Sequence, residues 1–206
     1  MQTLNYLKSI VERLPGPLPN FNLIHVVLML ILLENGVVGR KRLSSLINLG
    51  EGSVRSLIRR LREAGLIDTS KEGCYLTPKG REKVKDLRKF LKGPIEIELS
   101  ELLQDKVYAS LVRGVPLEKL RVLEVRDEAV RAGGKGAIIL VCLQGKLIFP
   151  ETSELLARYH PRDELRIMEA FKPSEGDIII VGLGSSPHAS KLSAIGAALR
   201  ALDFMN

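Results

Sequence analysis

No tryptophan occurs anywhere in the sequence, cysteine appears twice and histidine three times. Each scarcity excludes something. Cys74 and Cys142 sit far apart with no CxxC spacing, so neither a disulfide framework nor a zinc site is encoded; two buried thiols in a reducing compartment is the expectation. His25, His160 and His188 are scattered, which predicts no metal centre. No HExxH, no P-loop GK[ST] and no nucleophile with an adjacent base is present, so the reading is of a non-enzyme that needs no cofactor. The longest apolar run, "LIHVVLMLILL" (Leu23 to Leu33), is shorter than the ~20 residues a membrane-spanning helix requires and contains His25. No basic leader precedes it, so it reads as a buried core helix of a cytoplasmic protein and not as a signal peptide or membrane span.

What is abundant is positive charge, and it is unevenly placed. The chain is 45% hydrophobic with a net charge of +7, which excludes disorder. Residues 1–93 hold 17 Lys and Arg against 8 Asp and Glu, a net +9; the remainder, 14 against 16, is −2. A basic first module, residues 1–93, joined at Gly93-Pro94 to a mildly acidic second one, residues 94–206, follows from that split, with only the first seeking polyanions.

In the first module, Leu4, Leu7, Val11 and Leu14 form a helical stripe ending at Pro15-Gly16-Pro17. Packing on the rest of the chain or on a second subunit would each cover it. A buried helix from Asn22 to Asn35 follows, closed at Asn35-Gly36. "GRKRLSSLINLG" is a further helix, with Leu43, Leu46 and Ile47 inward and Arg40, Lys41 and Arg42 at its start. Three cations there oppose the helix dipole, so local stability does not explain them, whereas a nearby phosphate would.

After a turn at Gly50-Glu51-Gly52, "EGSVRSLIRRLREAGLI" sets Val54, Leu57, Ile58 and Leu61 on one helical face. The remaining arc carries Arg55, Arg59, Arg60 and Arg62. Two short strands then flank a tip at Lys71-Glu72-Gly73. Thr77 caps a helix starting at Pro78, with Val84, Leu87 and Leu91 inward.

The string "LSSLINLGEGSVRSLIRRLREAGLIDTSKEGCYLTPKGREKV" resembles winged helix-turn-helix transcription regulators of the MarR type across about residues 20 to 92. The resemblance implies that Ser53, Arg55, Ser56 and Arg59 face base edges in a DNA major groove. It places Arg60, Arg62 and the Arg40–Arg42 cluster at phosphates, and Lys71 on the wing. A winged helix used only as a protein scaffold is the competing interpretation. Taken whole, the chain is similar to a group of uncharacterised archaeal winged-helix proteins with a C-terminal domain of unassigned function.

The second module reads as mixed α+β. Strands are predicted at Ile95–Leu99, Lys106–Val112 and Leu120–Val125, then a short helix "RDEAVRAGG" and a hairpin turning at Gln144-Gly145. Helices broken at Pro161 follow, and the chain closes with a buried strand, a glycine loop and a helix. In "VGLGSSPHAS", Gly184, Ser185, Ser186 and His188 stand at that helix start, where free N–H groups favour an anion; a plain cap by Ser186 is the alternative. Arg126 and Asp127, beside a glycine-rich turn, are a second set that could join the same small-molecule site.

These readings converge on a homodimeric regulator of double-stranded DNA whose second module senses a small anionic effector, dimerises, or both. A metabolite-binding protein or enzyme with an accessory winged helix stands as the alternative, and an RNA-binding or protein-bridging winged helix as a third.

Overall fold

The computed structural model describes residues 2–12, 20–103 and 105–205. It divides into two compact units, Met1–Arg88 and Lys89–Asn206, each mixing helices and strands, so the fold is α+β. No helix among the described residues is long and apolar enough to cross a membrane.

The first unit is built from α1 (Gln2–Glu12), α2 (Leu23–Leu33), α3 (Arg40–Ile47), α4 (Glu51–Glu63), the hairpin β1 (Ile67–Thr69) and β2 (Cys74–Leu76), and α5 (Pro78–Arg88). Leu4 and Leu7 of α1 are buried because α1 packs on α2 and α5. Its stripe is therefore covered by its own chain; Leu14 and Pro15-Gly16-Pro17 lie outside the described residues. Eight of the eleven residues of α2 are buried. Its first turn is closed by a capping box in which Asn22 accepts from the Ile24 amide and His25 Nδ1 accepts from the Asn22 amide. His25 thus interrupts the apolar run because the helix start needs a polar partner.

Two expectations for this unit are corrected. The turn before α4 does not run through Gly50-Glu51-Gly52, since Glu51 and Gly52 are already helical and Gly50 is the N-cap. The reversal is made by Asn48, at φ 52° and ψ 45°, a left-handed position that asparagine tolerates. The last helix stops at Arg88, so Leu91 is not on its inner face but begins a strand of the second unit. Thr77 accepts from the Gly80 amide at 3.0 Å and donates to the Gly65 carbonyl at 2.6 Å, joining the helix start to the end of α4. Gly80 is required there: a Cβ at that position would lie 1.9 Å from the Leu66 carbonyl oxygen.

The second unit holds β3 (Leu91–Leu99), β4 (Asp105–Val112), α6 (Val122–Arg131), β5 (Gly136–Leu143), β6 (Lys146–Ile148), α7 (Pro161–Phe171), β7 (Ile178–Leu183) and α8 (Pro187–Asp203). The five strands form one antiparallel sheet in the order β3-β4-β7-β5-β6. Alternation sorts the side chains. Val107, Ala109 and Leu111 of β4 join Ile179 and Val181 of β7 and Ile167 and Phe171 of α7 in one apolar cluster. The opposite face meets α8, which packs on β4 and β7, and α6, which packs on α8 and β5. Gln144 and Gly145 turn the β5–β6 hairpin at positive φ, 51° and 70°, the type I′ pattern.

Gly93-Pro94, expected as the junction, lies inside β3, and the division falls at Arg88/Lys89. The proline is tolerated because β3 is an edge strand and its ladder shifts register between Lys92 and Ile95; a missing N–H at an edge bulge removes no ladder bond. The strand expected at Leu120–Val125 is corrected to helix, since Val122 opens α6. Val125 and Ala129 are its buried residues, an i,i+4 pair that appears only when the reading window crosses Arg126. Both cysteines are buried and free.

Candidate functional site

Five cations of the first unit that lack partners among the described residues lie on three neighbouring elements, with Lys85 of α5 a further exposed one. Arg40, Lys41 and Arg42 open α3 behind Gly39, which supplies no side-chain cap, and all three are exposed. None of the three has a hydrogen-bond or ion-pair partner among the described residues. Val38 and Cys74 exchange backbone hydrogen bonds at 3.0 Å in both directions, which ties the entry to α3 to the β1–β2 hairpin. Burial pushes the Cys74 thiol pKa up, with the Arg40 and Arg62 guanidinia acting in the other direction, so both cations lie near that strand. Lys71 is exposed at the hairpin tip, also without a partner.

On α4, Val54, Leu57 and Leu61 are fully buried and Ile58 is nearly so. The outward arc is graded along the helix. Arg55 is exposed and has no hydrogen-bond or ion-pair partner among the described residues, with Ser53 and Ser56 half-buried beside it. Arg59 lies 4.0 Å from Glu63, and Arg62 lies 3.2 Å from Asp68 of β1. A cleft of about 630 Å³ runs along this face, lined by Arg55, Arg59, Arg62, Ile58, Ile67 and Asp68 among others.

Arg60 departs from its expected place at a phosphate. It is only 9% exposed, donates to the Val11 carbonyl at 3.0 Å and stacks 4.9 Å from the Phe21 ring centroid. It lies at the border of the buried face, on the flank that faces α1, where the aliphatic stem packs and the guanidinium finds a carbonyl and a ring.

The second unit treats its candidate residues differently. A Cβ on Gly182 would meet the Ser190 carbonyl at 2.3 Å, and one on Gly184 the Ser190 amide at 2.3 Å. Both glycines therefore let β7 lie close against α8. Ser186 is the N-cap, accepting from the Ala189 amide at 3.2 Å, while Ser185 is exposed. Arg126 donates to the Ala137 carbonyl and pairs with Glu151; Asp127 is exposed. The Lys135 amide donates to the Leu183 carbonyl at 2.7 Å, so the glycine-rich turn does abut the end of β7. The Arg126 side chain, however, is engaged with Ala137 and Glu151.

Two polar features had no clear trace in the sequence. Asp163 is fully buried and accepts three backbone N–H groups, from Ser100, Glu101 and Leu102, at 2.7–3.0 Å. Nothing in the local pattern distinguishes it from a surface acid in the first turn of a helix. The second is a group of titratable side chains beside the β7–α8 loop. Tyr108 donates to Glu96 at 3.0 Å, and Lys191 sits 4.5 Å from the Tyr108 ring centroid. Burial, then Glu96, raise the Tyr108 pKa. Burial lowers that of Lys191 against the pull of Glu96. Burial, helped by Lys191, lowers His188, whose Nε2 is enclosed without a hydrogen-bond partner. Only the strand alternation of "IEIEL" hinted that Glu96 would be exposed.

Comparison with known proteins places the two halves in named classes. Residues 23–82 match the PH0730-like N-terminal domain, and residues 103–202 match a domain of unknown function, DUF4443. The chain belongs to the PH0730-like proteins. A solved member to which it is similar is the hypothetical protein PH0730 from Pyrococcus horikoshii OT3, at 30% sequence identity and a TM-score of 0.73. The alignment covers 89% of this chain and 95% of that one. No curated protein matches the chain.

Proposed function

We propose that this protein is a sequence-specific transcription regulator that binds duplex DNA through a winged helix-turn-helix of MarR-like type. Support comes first from element order: α3, a short turn, α4, a two-stranded hairpin and α5 follow the arrangement whose second helix enters the major groove. The observation that carries the reading is the distribution of partnerless cations. Arg40, Lys41, Arg42, Arg55 and Lys71 are exposed and uncompensated, and they occupy the start of the first helix, the outward face of the second and the wing. Crowding like charges without partners is unfavourable for the isolated fold, and a polyanion removes that cost.

In this reading Arg55, with Ser53 and Ser56, faces base edges; a guanidinium bidentate to guanine supplies ~1–3 kcal/mol of discrimination. Arg40, Lys41, Arg42 and Lys71 hold phosphates. Arg60 has no part in it. Two copies a DNA turn apart multiply specificity, so the working species is a homodimer, with the second unit dimerising, sensing a small anion, or both.

The test is duplex binding by fluorescence anisotropy across a salt series, followed by selection from random duplex pools. The expected results are an affinity that falls linearly in log salt and an enriched inverted repeat. Replacing Arg55 with Ala weakens the selected site more than random duplex. A protein that binds no duplex at low salt, or prefers structured RNA at equal salt, sinks the reading.

The group formed by Glu96, Tyr108, His188 and Lys191 beside the β7–α8 loop favours a second reading, a metabolite site with the winged helix as accessory, because perturbed titrating groups cluster at functional sites. A thermal-shift screen separates the two: a bound metabolite raises the melting temperature. Turnover of that metabolite supports an enzyme, and altered duplex affinity supports an effector.

A further inference from the structure

The cleft along α4 contains two acids, Glu63 and Asp68, on a face otherwise equipped for anions. Asp68 is the better anchored. Its Oδ1 accepts from the Thr69 amide at 2.8 Å and from Arg62 Nε at 3.2 Å, so β1 presents a fixed carboxylate to an arginine of the adjacent helix. Arg55, Arg59 and Arg62 follow i, i+4 and i+7 spacing, one stripe of the helix. Only the first of the three is free; the second and third are matched to Glu63 and Asp68.

We propose that the Arg62 end of this cleft is a seat for a backbone phosphodiester, and that the Asp68 carboxylate occupies it as an internal stand-in anion until DNA arrives. The inference rests on the duplex-binding reading given above. Carboxylate and phosphate present comparable oxygens to a guanidinium, so the exchange leaves the Arg62 hydrogen bonds intact in kind. The side chains of Arg62 and Asp68 are 53% and 48% exposed. A pair so solvated is weak and readily exchanged.

After the exchange Asp68 remains beside the seated phosphate and repels it, whatever the base sequence. The consequence is selective. Asp68 lowers affinity for every duplex equally, leaving a larger share of the binding to the contacts of Arg55 with bases. Glu63, 4.0 Å from Arg59, acts in the same sense with looser geometry.

The experiment compares wild type, Asp68→Asn, Arg62→Ala and the double variant on one random duplex across a salt series. Asn keeps an oxygen acceptor for the Thr69 amide, and a melting curve checks that the fold is retained. The expected result for Asp68→Asn is severalfold tighter binding at low salt, with a somewhat steeper log–log salt slope, because the repulsion it removes is screened as salt rises. That gain disappears when Arg62 is Ala, the signature of a coupled pair. Glu72→Gln supplies the control, because Glu72 is exposed on the wing and has no arginine partner; it changes net charge equally and is expected to shift binding less. An unchanged slope, a gain that survives in the Arg62→Ala background, or an equal gain from Glu72→Gln overturns the stand-in role while leaving duplex binding intact. Absence of wild-type binding at any salt removes the functional reading itself, and this proposal with it.

Discussion

The two units use the same residue, arginine, in opposite ways. In the second unit every arginine is paired with an acid or a carbonyl: Arg113 with Asp177, Arg121 and Arg200 with Glu124, Arg162 with Glu101, Arg166 with the Glu98 carbonyl, and the rest likewise. In the first, Arg40, Arg42 and Arg55 stand exposed without partners among the described residues. Net charge alone understates this difference. A balanced unit can neutralise each cation locally, whereas an excess of seven positive charges over residues 1–88, 15 Lys and Arg against 8 Asp and Glu, leaves some cations with nothing to pair with, and folding decides where those are displayed. Here they are displayed on adjoining elements, which is the property a polyanion would exploit.

The comparison breaks most severely if charges in the second unit prove dispensable. Asp163→Ala is expected to lower stability by about 3–5 kcal/mol, because three backbone N–H groups lose their acceptor in a buried site. Denaturant titration gives the total. Hydrogen exchange at Ser100, Glu101 and Leu102 locates the loss, and unaltered protection there would mean that the carboxylate is not holding that turn. Next in size is the reverse experiment. Replacing Arg40, Lys41 and Arg42 together by Ala is expected to flatten the salt slope of duplex binding by about 3. Stability should change by less than roughly 0.5 kcal/mol per site, as for surface positions without partners. The matched triple in the second unit, Arg131, Arg158 and Arg162 to Ala, should leave the slope unchanged. A common effect of both triples would erase the distinction between the units.

A finer contrast lies within α4 itself. Arg60→Ala is expected to cost about 1–3 kcal/mol of stability through its lost packing and its hydrogen bond to Val11, with no change in duplex binding, whereas Arg55→Ala should leave stability within roughly 0.5 kcal/mol and weaken the selected site more than random duplex. This pair also marks the limit of what sequence could reveal. The apolar positions Val54, Leu57 and Leu61 defined the buried face correctly, since a 3.6-residue period reports burial directly. Arg60 sits at the border of that face. Whether a border arginine is solvated or folded back depends on what packs there, here Val11 and Phe21 from other segments, and no local pattern contains that information. The same holds for the glycine loop. "GLGSS" reads equally as an anion cradle or as a close strand–helix approach, and only the neighbours of Gly182 and Gly184 distinguish them. Elements whose signal is local, such as the Gln144-Gly145 hairpin and the Thr77 cap, were legible. The Asp163 anchor joins residues more than 60 positions apart and was not.

The smallest expected effect concerns His188, where the second unit encloses a titrating group without an opposing charge. Burial, with Lys191 nearby, holds the imidazole pKa below its ordinary value of 6.5. The unfolded chain therefore takes up a proton near that pH, while the folded chain does so only at a lower one. Between the two values the unfolded state binds more protons, so stability falls as pH falls through this window and is fully present above it. His188→Gln removes the term. Melting temperatures measured from pH 7.5 to 5 should decline less steeply in the variant than in wild type, by a small margin because the ring is only partly enclosed. If the two profiles run parallel, the imidazole is as well solvated as in the unfolded chain, and the group around Lys191 loses its strongest sign of a functional environment.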